Sequence, residues 1–239
     1  MWLLCLLAHD AKMLPTYDRL AARLTERMAR APADRPLWIG IAGGPGAGKS
    51  TLAAAVSARV NEARGTDASV VLPMDGFHYS RAQLRQLDPP DASSYLPRRG
   101  APWTFDAEGL CAALSSAKRL GHASLPVREL SDPVPDGVRL LPTHRCVLVE
   151  GNYLLMFDDP RWAPLAELWD EKWFVACTDA AEQRRRLIQR HLETWNDEKA
   201  LRWGPGEAGA AARADANDVK NMQMIASSSK YADLVIESK

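Results

Sequence analysis

The residues from Gly43 to Ser50 read Gly-Gly-Pro-Gly-Ala-Gly-Lys-Ser and constrain the fold of this chain more than any other segment. They follow the apolar run Leu37–Ala42 and precede a helix that the sequence predicts over Lys49–Ala63. Glycines between a buried strand and a helix let the backbone curl around an anion, so that successive N–H groups and the helix N-terminus point at it. The segment fits the P-loop pattern G-x-x-x-x-G-K-[ST] in its expected strand–loop–helix setting. The sequence therefore predicts binding of a nucleoside triphosphate, with a glycine-rich turn that binds nothing as the alternative.

The loop residues have separate predicted roles. Lys49 is expected to reach the β- and γ-phosphates, and the Ser50 hydroxyl is expected to ligate Mg²⁺. The residues expected to contact the nucleotide are Gly43, Gly44, Pro45, Gly46, Ala47, Gly48, Lys49, Ser50 and Thr51. The sequence has neither the N-K-x-D motif of GTPases nor an L-S-G-G-Q-like signature of transport ATPases. The rest of the chain must therefore decide what kind of P-loop protein this is.

Apolar runs alternate with helical patterns along the chain. Besides Leu37–Ala42, strands are predicted at Ala68–Met74, Cys146–Glu150, Lys172–Cys177 and Leu234–Ile236. Further helices are predicted at Ala107–Arg119, Trp162–Leu168, Ala180–Thr194 and Asp218–Ser227. Strands separated by helices favour a parallel sheet with helices on both faces. We expect an α/β fold of the P-loop NTPase type, a three-layer αβα sandwich with a mainly parallel five-stranded sheet and a helical lid.

Three segments stand outside this alternation. Residues 1–36 are predicted to form an N-terminal helical extension, whose first apolar run, Trp2–Ala8, is shorter than the roughly 20 residues that a spanning helix needs. Residues 37–239 are predicted to form the P-loop domain, and a family resemblance implies a lid at about 180–215. The Pro- and Arg-rich segment Leu87–Trp103 is too irregular for a simple connection, and Gly204–Ala214 is predicted to be a mobile loop.

The charges of the chain balance, because 30 Lys and Arg residues face 30 Asp and Glu residues. This balance excludes the bulk positive field of a general nucleic-acid or membrane-surface binder. The four cysteines form no C-x-x-C pair and no Cys/His cluster at metal-ligand spacing, so structural zinc is not expected. Cysteines scattered in this way fit a reducing compartment, and we expect a cytoplasmic protein.

Four blocks carry a resemblance to a known group of enzymes. They are the P-loop, Met74–His78, Arg99–Asp106 and Val149–Leu155. In these blocks the chain resembles the superfamily of phosphoribulokinase, uridine kinase and pantothenate kinase. It is most similar to the branch named for nucleoside triphosphate hydrolases and fructose-transport-type kinases. The resemblance covers roughly Leu37 to the C-terminus and implies phosphorylation by ATP and Mg²⁺.

The resemblance assigns roles to two acids at strand ends. It implies that Asp75 accepts the proton of the acceptor hydroxyl, and that Glu150 helps to hold Mg²⁺. The residues themselves agree, since ligands of open α/β sheets bind beyond the carboxyl ends of the strands. An acid at the end of a buried strand is also costly unless it has a polar partner. The alternatives are that Asp75 only caps the following turn and that Glu150 forms a salt bridge to a neighbouring loop.

By the same resemblance, the loops that carry His78, Tyr79, Arg98 and Arg99 cover the acceptor site. Guanidinium groups there suit a substrate that carries a carboxylate or phosphate. The alternative for the two arginines is a solvated loop. Thr104–Asp106 is expected in the same wall or as the N-cap of the following helix.

The segment Asp179–His191 resembles the lid helix of these kinases, in which arginines fold over the phosphates. Arg186 and Arg190 fall on lid positions and, four residues apart, share one helix face, with Arg185 as the reserve candidate. A solvated charged face is the alternative. Asn217 and Asn221 match an asparagine pair of the family, so Asn217 is expected to contact the nucleotide or to cap a helix.

Together these observations predict an ATP- and Mg²⁺-dependent kinase that phosphorylates a hydroxyl group of a sugar, a nucleoside or a pantothenate-like alcohol. The alternatives are a nucleoside triphosphate hydrolase and an ATP-binding regulatory module without an acceptor. The sequence names a small-molecule partner by class only. It leaves the oligomeric state open, a homodimer included.

Overall fold

A computed structural model describes residues 2–87, 95–96, 98–129 and 132–238, with side chains described from residue 12 onward except that of Glu129. Its strands are β1 Leu37–Gly43, β2 Ser69–Pro73, β3 Ala123–Glu129, β4 Asp132–Leu140, β5 Cys146–Glu150, β6 Glu171–Cys177 and β7 Leu234–Ser238. Its α-helices are α1 Trp2–Arg30, α2 Lys49–Arg64, α3 Arg81–Gln86, α4 Ala107–Leu120, α5 Ala180–Glu193, α6 Asp197–Trp203, α7 Gly206–Arg213 and α8 Val219–Ala226.

Five strands form one sheet in the order β2-β5-β1-β6-β7, and every neighbouring pair in it is parallel. All residues of the central strand β1 are buried, as in a parallel sheet covered on both faces. The predicted α/β fold is therefore confirmed. Since β5 lies between β1 and β2, the carboxyl ends of these three strands meet at one edge of the sheet.

Successive residues of β1 face the two layers of the core. Trp38 belongs to a cluster with Leu114 of α4, whereas Ile39 belongs to a cluster with Leu24 of α1 and Val56 of α2. This alternation is the period of two of a strand. The helix α1 thus buries its apolar face in the same core as the sheet.

A buried carboxylate at the start of β6 binds two arginines of α1. Glu171, at the start of β6, accepts a hydrogen bond from Arg23 Nε at 2.8 Å and pairs with Arg27 through its other oxygen. The indole of Trp173 donates to the same carboxylate at 2.9 Å. A buried charge needs such partners because desolvation disfavours it.

The local structure differs from the sequence predictions in three places. Within Gly204–Ala214, predicted as a mobile loop, residues Gly206–Arg213 form α7, because the alanine-rich sequence has high helix propensity and Ala210 packs in a cluster with Leu187. The antiparallel hairpin of β3 and β4 was not predicted. The helix predicted at Trp162–Leu168 is a short 3₁₀ helix over Ala163–Glu167.

Some sequence predictions fall on residues outside the described ranges. The irregular segment Leu87–Trp103 is described only at 87, 95–96 and 98–103, and the side chains of Trp2–Ala8 are not described. Among the helices of the described chain, none has both the length and the apolarity needed to cross a membrane.

We predict that the core contact of α1 supports the stability of the whole domain. Leu24 is fully buried, so Leu24→Ala should lower the free energy of unfolding by about 2–5 kcal/mol through lost burial and a residual cavity. Urea unfolding measures the change. Leu201→Ala is the control, because Leu201 is 92% exposed and its truncation should have little effect. Equal effects of the two substitutions would show that α1 does not share the core.

Candidate active site

Three glycines of the P-loop, Gly43, Gly46 and Gly48, have a positive φ, and at the first two a side chain would also meet neighbouring atoms. Gly43 has φ 148°, and a Cβ there would collide with the carbonyl oxygen of Val175. Gly46 has φ 77° and lies under α5, where a Cβ would be 3.1 Å from Leu187 Cγ. Both positions have the positive φ that side-chain-bearing residues rarely adopt. The loop is therefore shaped by its glycines and packed closely between β6 and α5.

The Lys49 side chain is buried at the start of α2 and directed back into the loop. Its Nζ donates to the Gly44 carbonyl at 3.0 Å and to Asn152 Oδ1 at 2.7 Å. Burial lowers the pKa of Lys49, while the nearby charges of Glu150 and Asp75 oppose that shift. An ammonium group that donates to two protein oxygens can donate to phosphate oxygens in their place, so the predicted role of Lys49 stays a prediction that this geometry allows.

Ser50 and Glu150 form a pair of oxygen donors beside Lys49. Ser50 Oγ donates to Glu150 Oε1 at 3.1 Å. Burial raises the pKa of Glu150, and the charge of Lys49 counteracts the shift. Hydroxyl and carboxylate oxygens are ligands that Mg²⁺ prefers, and Mg²⁺ commonly takes only one or two protein ligands beside phosphates and water. The pair therefore fits the magnesium role that the resemblance implied.

Asp75 lies one strand further toward the sheet edge, in the 3₁₀ turn Met74–Phe77 that follows β2. Its side chain is 48% exposed, and Oδ2 lies 3.5 Å from Arg128 Nη1 of β3. Pro73, the residue before this turn, makes no side-chain capping hydrogen bond, and the alternative that Asp75 is a turn cap stays open. A Cβ on Gly76 would collide with the Pro126 carbonyl, so the hairpin packs directly against the turn that presents Asp75.

His78 follows this turn and contacts it through its ring nitrogen. It is 5% exposed, its ring packs on Phe105 with 3.8 Å between ring centroids, and its Nδ1 lies 2.9 Å from the Asp75 carbonyl oxygen. A carbonyl only accepts, so Nδ1 carries the proton. Burial lowers the pKa of His78 to about 4, which keeps the ring neutral at pH 7. These contacts hold the backbone of Asp75, and the predicted contact of His78 with substrate stays a prediction.

The turn Arg98–Gly100 is held by the two asparagines, Asn217 and Asn221. Asn217 Nδ2 donates to the Arg99 carbonyl at 2.8 Å, and Asn221 Nδ2 donates to the Gly100 carbonyl at 3.1 Å. Arg98 Nη2 donates in turn to Asn221 Oδ1 at 3.0 Å. The described contacts of Asn217 therefore fix this turn, and its predicted contact with the nucleotide stays a prediction.

Arg99 is 12% exposed and reaches toward the hairpin and Tyr79. Its Nη2 lies 3.2 Å from Asp132 Oδ1 and 3.3 Å from the Tyr79 carbonyl oxygen. Burial first, and the charge of Arg128 next, lower the pKa of Arg99 to about 10. The phenol of Tyr79 lines a separate cavity together with Trp103. The predicted acceptor residues thus lie around the Asp75 turn, with Tyr79 facing away to a neighbouring cavity.

The predicted lid helix α5 lies over the P-loop. Gln183 Nε2 donates to the Pro45 carbonyl at 2.8 Å. Arg186 Nε donates to Glu182 Oε1 at 2.9 Å, and the hydrogen bonds of Arg185 and Arg186 lower the pKa of Glu182 to about 2. Arg190 is close enough for its charge to affect Lys49. The predicted contacts of both arginines with the phosphates stay predictions, and Arg186 is engaged by a carboxylate of its own helix.

Sequence reasoning missed three polar residues of this site. Asn152 lies two residues after Glu150 within a block that carried the resemblance, so its position held a usable signal. Gln183 looked like a helix-surface residue within a charged run. Arg128 had no signal, because the hairpin that carries it was not predicted.

Comparisons with known proteins place this geometry in context. A family model described as zeta toxin matches residues 21–118. A Schizosaccharomyces pombe protein provisionally named a uridine kinase is 32% identical over 95% of this chain and 93% of its own length. An Aspergillus versicolor protein named as ATP-dependent kinase-like is 40% identical over 50% of this chain and 71% of its own. The solved structure of a Silicibacter sp. TM1040 protein, provisionally named a fructose transport system kinase, matches with a TM-score of 0.74 and 31% identity over 91% of this chain and 98% of that one.

We predict a specific pH dependence of stability from His78. A histidine in the unfolded chain binds its proton near pH 6.5, whereas the folded protein binds it only near pH 4. The stability contribution is therefore complete above pH 6.5 and is lost as the pH falls toward 4, because the unfolded chain takes up the proton first. Between pH 7 and pH 5 the free energy of unfolding should fall by about 2 kcal/mol more for the wild type than for His78→Gln.

Urea unfolding at the two pH values measures this difference. His122→Gln is the control, since His122 is exposed, and it should behave as the wild type. A pH dependence that His78→Gln leaves unchanged would contradict the buried, neutral state of His78.

Proposed function

Because the chain belongs to the superfamily of P-loop kinases that includes the uridine and pantothenate kinases, it is an ATP-dependent kinase, and we propose that it phosphorylates a hydroxyl group of a small metabolite. The main support for this proposal is that three charged side chains lie near one another where β1, β2 and β5 end. The charges of Lys49, Glu150 and Asp75 act on one another, and only Asp75 is substantially exposed. A basic phosphate site thus lies next to an accessible carboxylate.

Asp75 accepts the proton in the proposed reaction. The acceptor hydroxyl oxygen forms a bond to the γ-phosphorus of ATP, and its proton passes to the Asp75 carboxylate. The bond between the γ-phosphorus and the oxygen that bridges it to the β-phosphorus breaks, and ADP leaves with that electron pair. Lys49 neutralises charge on the transferring group, and the Arg128 guanidinium lies 3.5 Å from the Asp75 carboxylate.

Ser50 and Glu150 are the residues that would hold Mg²⁺. The ion supplies charge neutralisation on the β- and γ-phosphates when it is bound. The two protein oxygens already lie within hydrogen-bond distance of each other, so both can face one small cation. Gln183 fixes the loop beside them through the Pro45 carbonyl.

The thiols of the protein support our proposal that it works in a reducing compartment such as the cytoplasm. Cys111, Cys146 and Cys177 are free thiols in the described chain. Burial raises the pKa of Cys146 to about 12, so that thiol is protonated and unreactive.

We predict that Asp75→Asn separates catalysis from nucleotide binding. The amide keeps the shape of the side chain but does not accept the proton, so acceptor phosphorylation should fall by about 10²-fold or more. The affinity for a non-hydrolysable ATP analogue should change by less than about threefold, because the loop and Lys49 hold the phosphates. The measurements are ADP release with uridine, fructose and pantothenate as acceptors, and titration calorimetry with the analogue.

Asp18→Asn is the matched control, since Asp18 is an exposed carboxylate on α1 that pairs with Arg59. It should leave both quantities unchanged. A parallel fall of rate and affinity in Asp75→Asn would assign Asp75 to metal or nucleotide binding. ADP release that no acceptor stimulates would favour the hydrolase alternative.

We predict that Arg190 acts on the transferred group and not on folding. Arg190→Gln should lower turnover about tenfold or more, because it removes a charge that faces the phosphate site. The melting temperature should change little, since exposed charges contribute little to stability. Arg184→Gln is the control on the same helix, where Arg184 pairs with Asp215 at the surface. Normal turnover with a lowered melting temperature would show that Arg190 is structural.

A further inference from the structure

Asn152 provides the one side chain of the described residues that holds the ammonium group of Lys49. Lys49 Nζ donates to Asn152 Oδ1 at 2.7 Å and to the Gly44 carbonyl at 3.0 Å. No carboxylate of the described residues forms an ion pair with Nζ, and the charges of Glu150 and Asp75 act on it from further away. Since Lys49 is only 8% exposed, its hydrogen bonds within the chain depend on these two neutral oxygens.

The turn that carries Asn152 is fixed on both sides. Before it, Gly151 packs so closely that a Cβ there would collide with the side chain of Met74. After it, Tyr153 is fully buried, and its hydroxyl donates to the Gly100 carbonyl. Because the backbone of Asn152 is held in this way, its amide has little freedom to follow Lys49 when the ammonium group moves.

The ammonium group of Lys49 has three N–H donors, which cannot serve four acceptors equally well. The Gly44 carbonyl belongs to the P-loop itself and takes one of them. A P-loop lysine reaches both the β- and the γ-phosphate of a nucleoside triphosphate, so a triphosphate takes the other two donors. A diphosphate takes only one more, and the contact with Asn152 then remains. The count of donors therefore sets Asn152 against the γ-phosphate.

A neutral amide is an acceptor that a phosphate can displace. The hydrogen bond from an ammonium group to a charged phosphate is stronger than the bond to a neutral oxygen. A carboxylate in the same place would pair with Lys49 and cancel the charge that attracts the phosphates. The nearest carboxylate along the chain, Glu150, has its Oε1 engaged by the Ser50 hydroxyl at 3.1 Å. Lys49 therefore keeps its charge while Asn152 holds it in the loop.

We propose that Asn152 determines how the enzyme discriminates between nucleoside triphosphate and diphosphate, because its amide competes with the γ-phosphate for Lys49. The amide keeps its contact with Lys49 beside bound ADP and gives it up to ATP. The affinity for ATP is thereby lowered relative to the affinity for ADP. This inference concerns the P-loop alone, so it stands or falls separately from the proposed acceptor and from the role of Asp75.

Titration calorimetry with ADP and with a non-hydrolysable ATP analogue, both with Mg²⁺, tests this competition. In Asn152→Ala the analogue has no amide to displace, so it should bind about three- to tenfold more tightly than to the wild type. The affinity for ADP should change by less than about twofold. A merely structural role of Asn152 would weaken both ligands. That result, or an unchanged ratio of the two affinities, would overturn the proposal.

A double-substitution cycle shows whether Asn152 acts through Lys49. In a Lys49→Ala background, Asn152→Ala should leave the affinity for the analogue unchanged within about twofold, because no ammonium group remains to compete for. The titrations use ligand concentrations high enough to saturate the weaker variant. A gain of the same size in both backgrounds would show that Asn152 acts on the phosphates directly, and the proposal would be wrong.

A second substitution at the same position tests the importance of a neutral acceptor. Asn152→Asp keeps the size of the side chain and one oxygen but adds a negative charge. It should weaken the analogue about tenfold or more, and ADP by less, because the carboxylate pairs with Lys49 and repels the γ-phosphate. An affinity for the analogue equal to that of the wild type would contradict the proposed competition.

Asn61→Ala is the matched control, and thermal unfolding verifies that every variant is folded. It is the same change at the opposite end of β2, where Asn61 Oδ1 accepts from the backbone N–H groups of Ala68 and Ser69. It removes hydrogen bonds of a loop without touching Lys49, so both nucleotide affinities should stay as in the wild type. If Asn61→Ala shifts the ratio of the two affinities as Asn152→Ala does, the effect is not specific to Asn152 and the proposal fails.

Discussion

The pairing of β5 between β1 and β2 is the constraint on which the rest of the site depends. Three parallel strands in this order end side by side, so the P-loop, Glu150 and Asp75 meet although up to about a hundred residues separate them along the chain. Neither acid needs a special loop to reach its place. A change of strand order would separate the P-loop from Asp75, the proton acceptor that we propose.

The burial of charges differs across this edge in a way that suits phosphoryl transfer. Lys49 and Glu150 are buried, and burial lowers the pKa of the first and raises that of the second, so each ion depends on the other. Asp75 is half exposed and has Arg128 beside it. A charged nucleotide at the P-loop would thus meet the buried and preorganised charges of Lys49 and Glu150, while the Asp75 side stays open to solvent.

The sequence predicted the features that short-range patterns encode. The glycine pattern of Gly43–Ser50 and the five apolar runs gave the parallel sheet, because a buried strand has a local signature in its composition. The hairpin that carries Arg128 was not predicted, since its strands are partly exposed and lack a continuous apolar run. The α7 helix that ends at Arg213 was taken for a loop because of its glycines. The position of Arg128 beside Asp75 therefore became visible only in the tertiary fold.

The central claim is that the phosphoryl group of ATP passes to an alcohol oxygen at Asp75. Phosphorus NMR tests this claim directly, in a mixture of the protein, ATP, Mg²⁺ and a panel of alcohols that includes uridine, fructose and pantothenate. The account predicts a new phosphomonoester signal that grows in step with ADP and is absent when Asp75→Asn replaces the wild type. Growth of inorganic phosphate alone, equal with and without the alcohols, would contradict it.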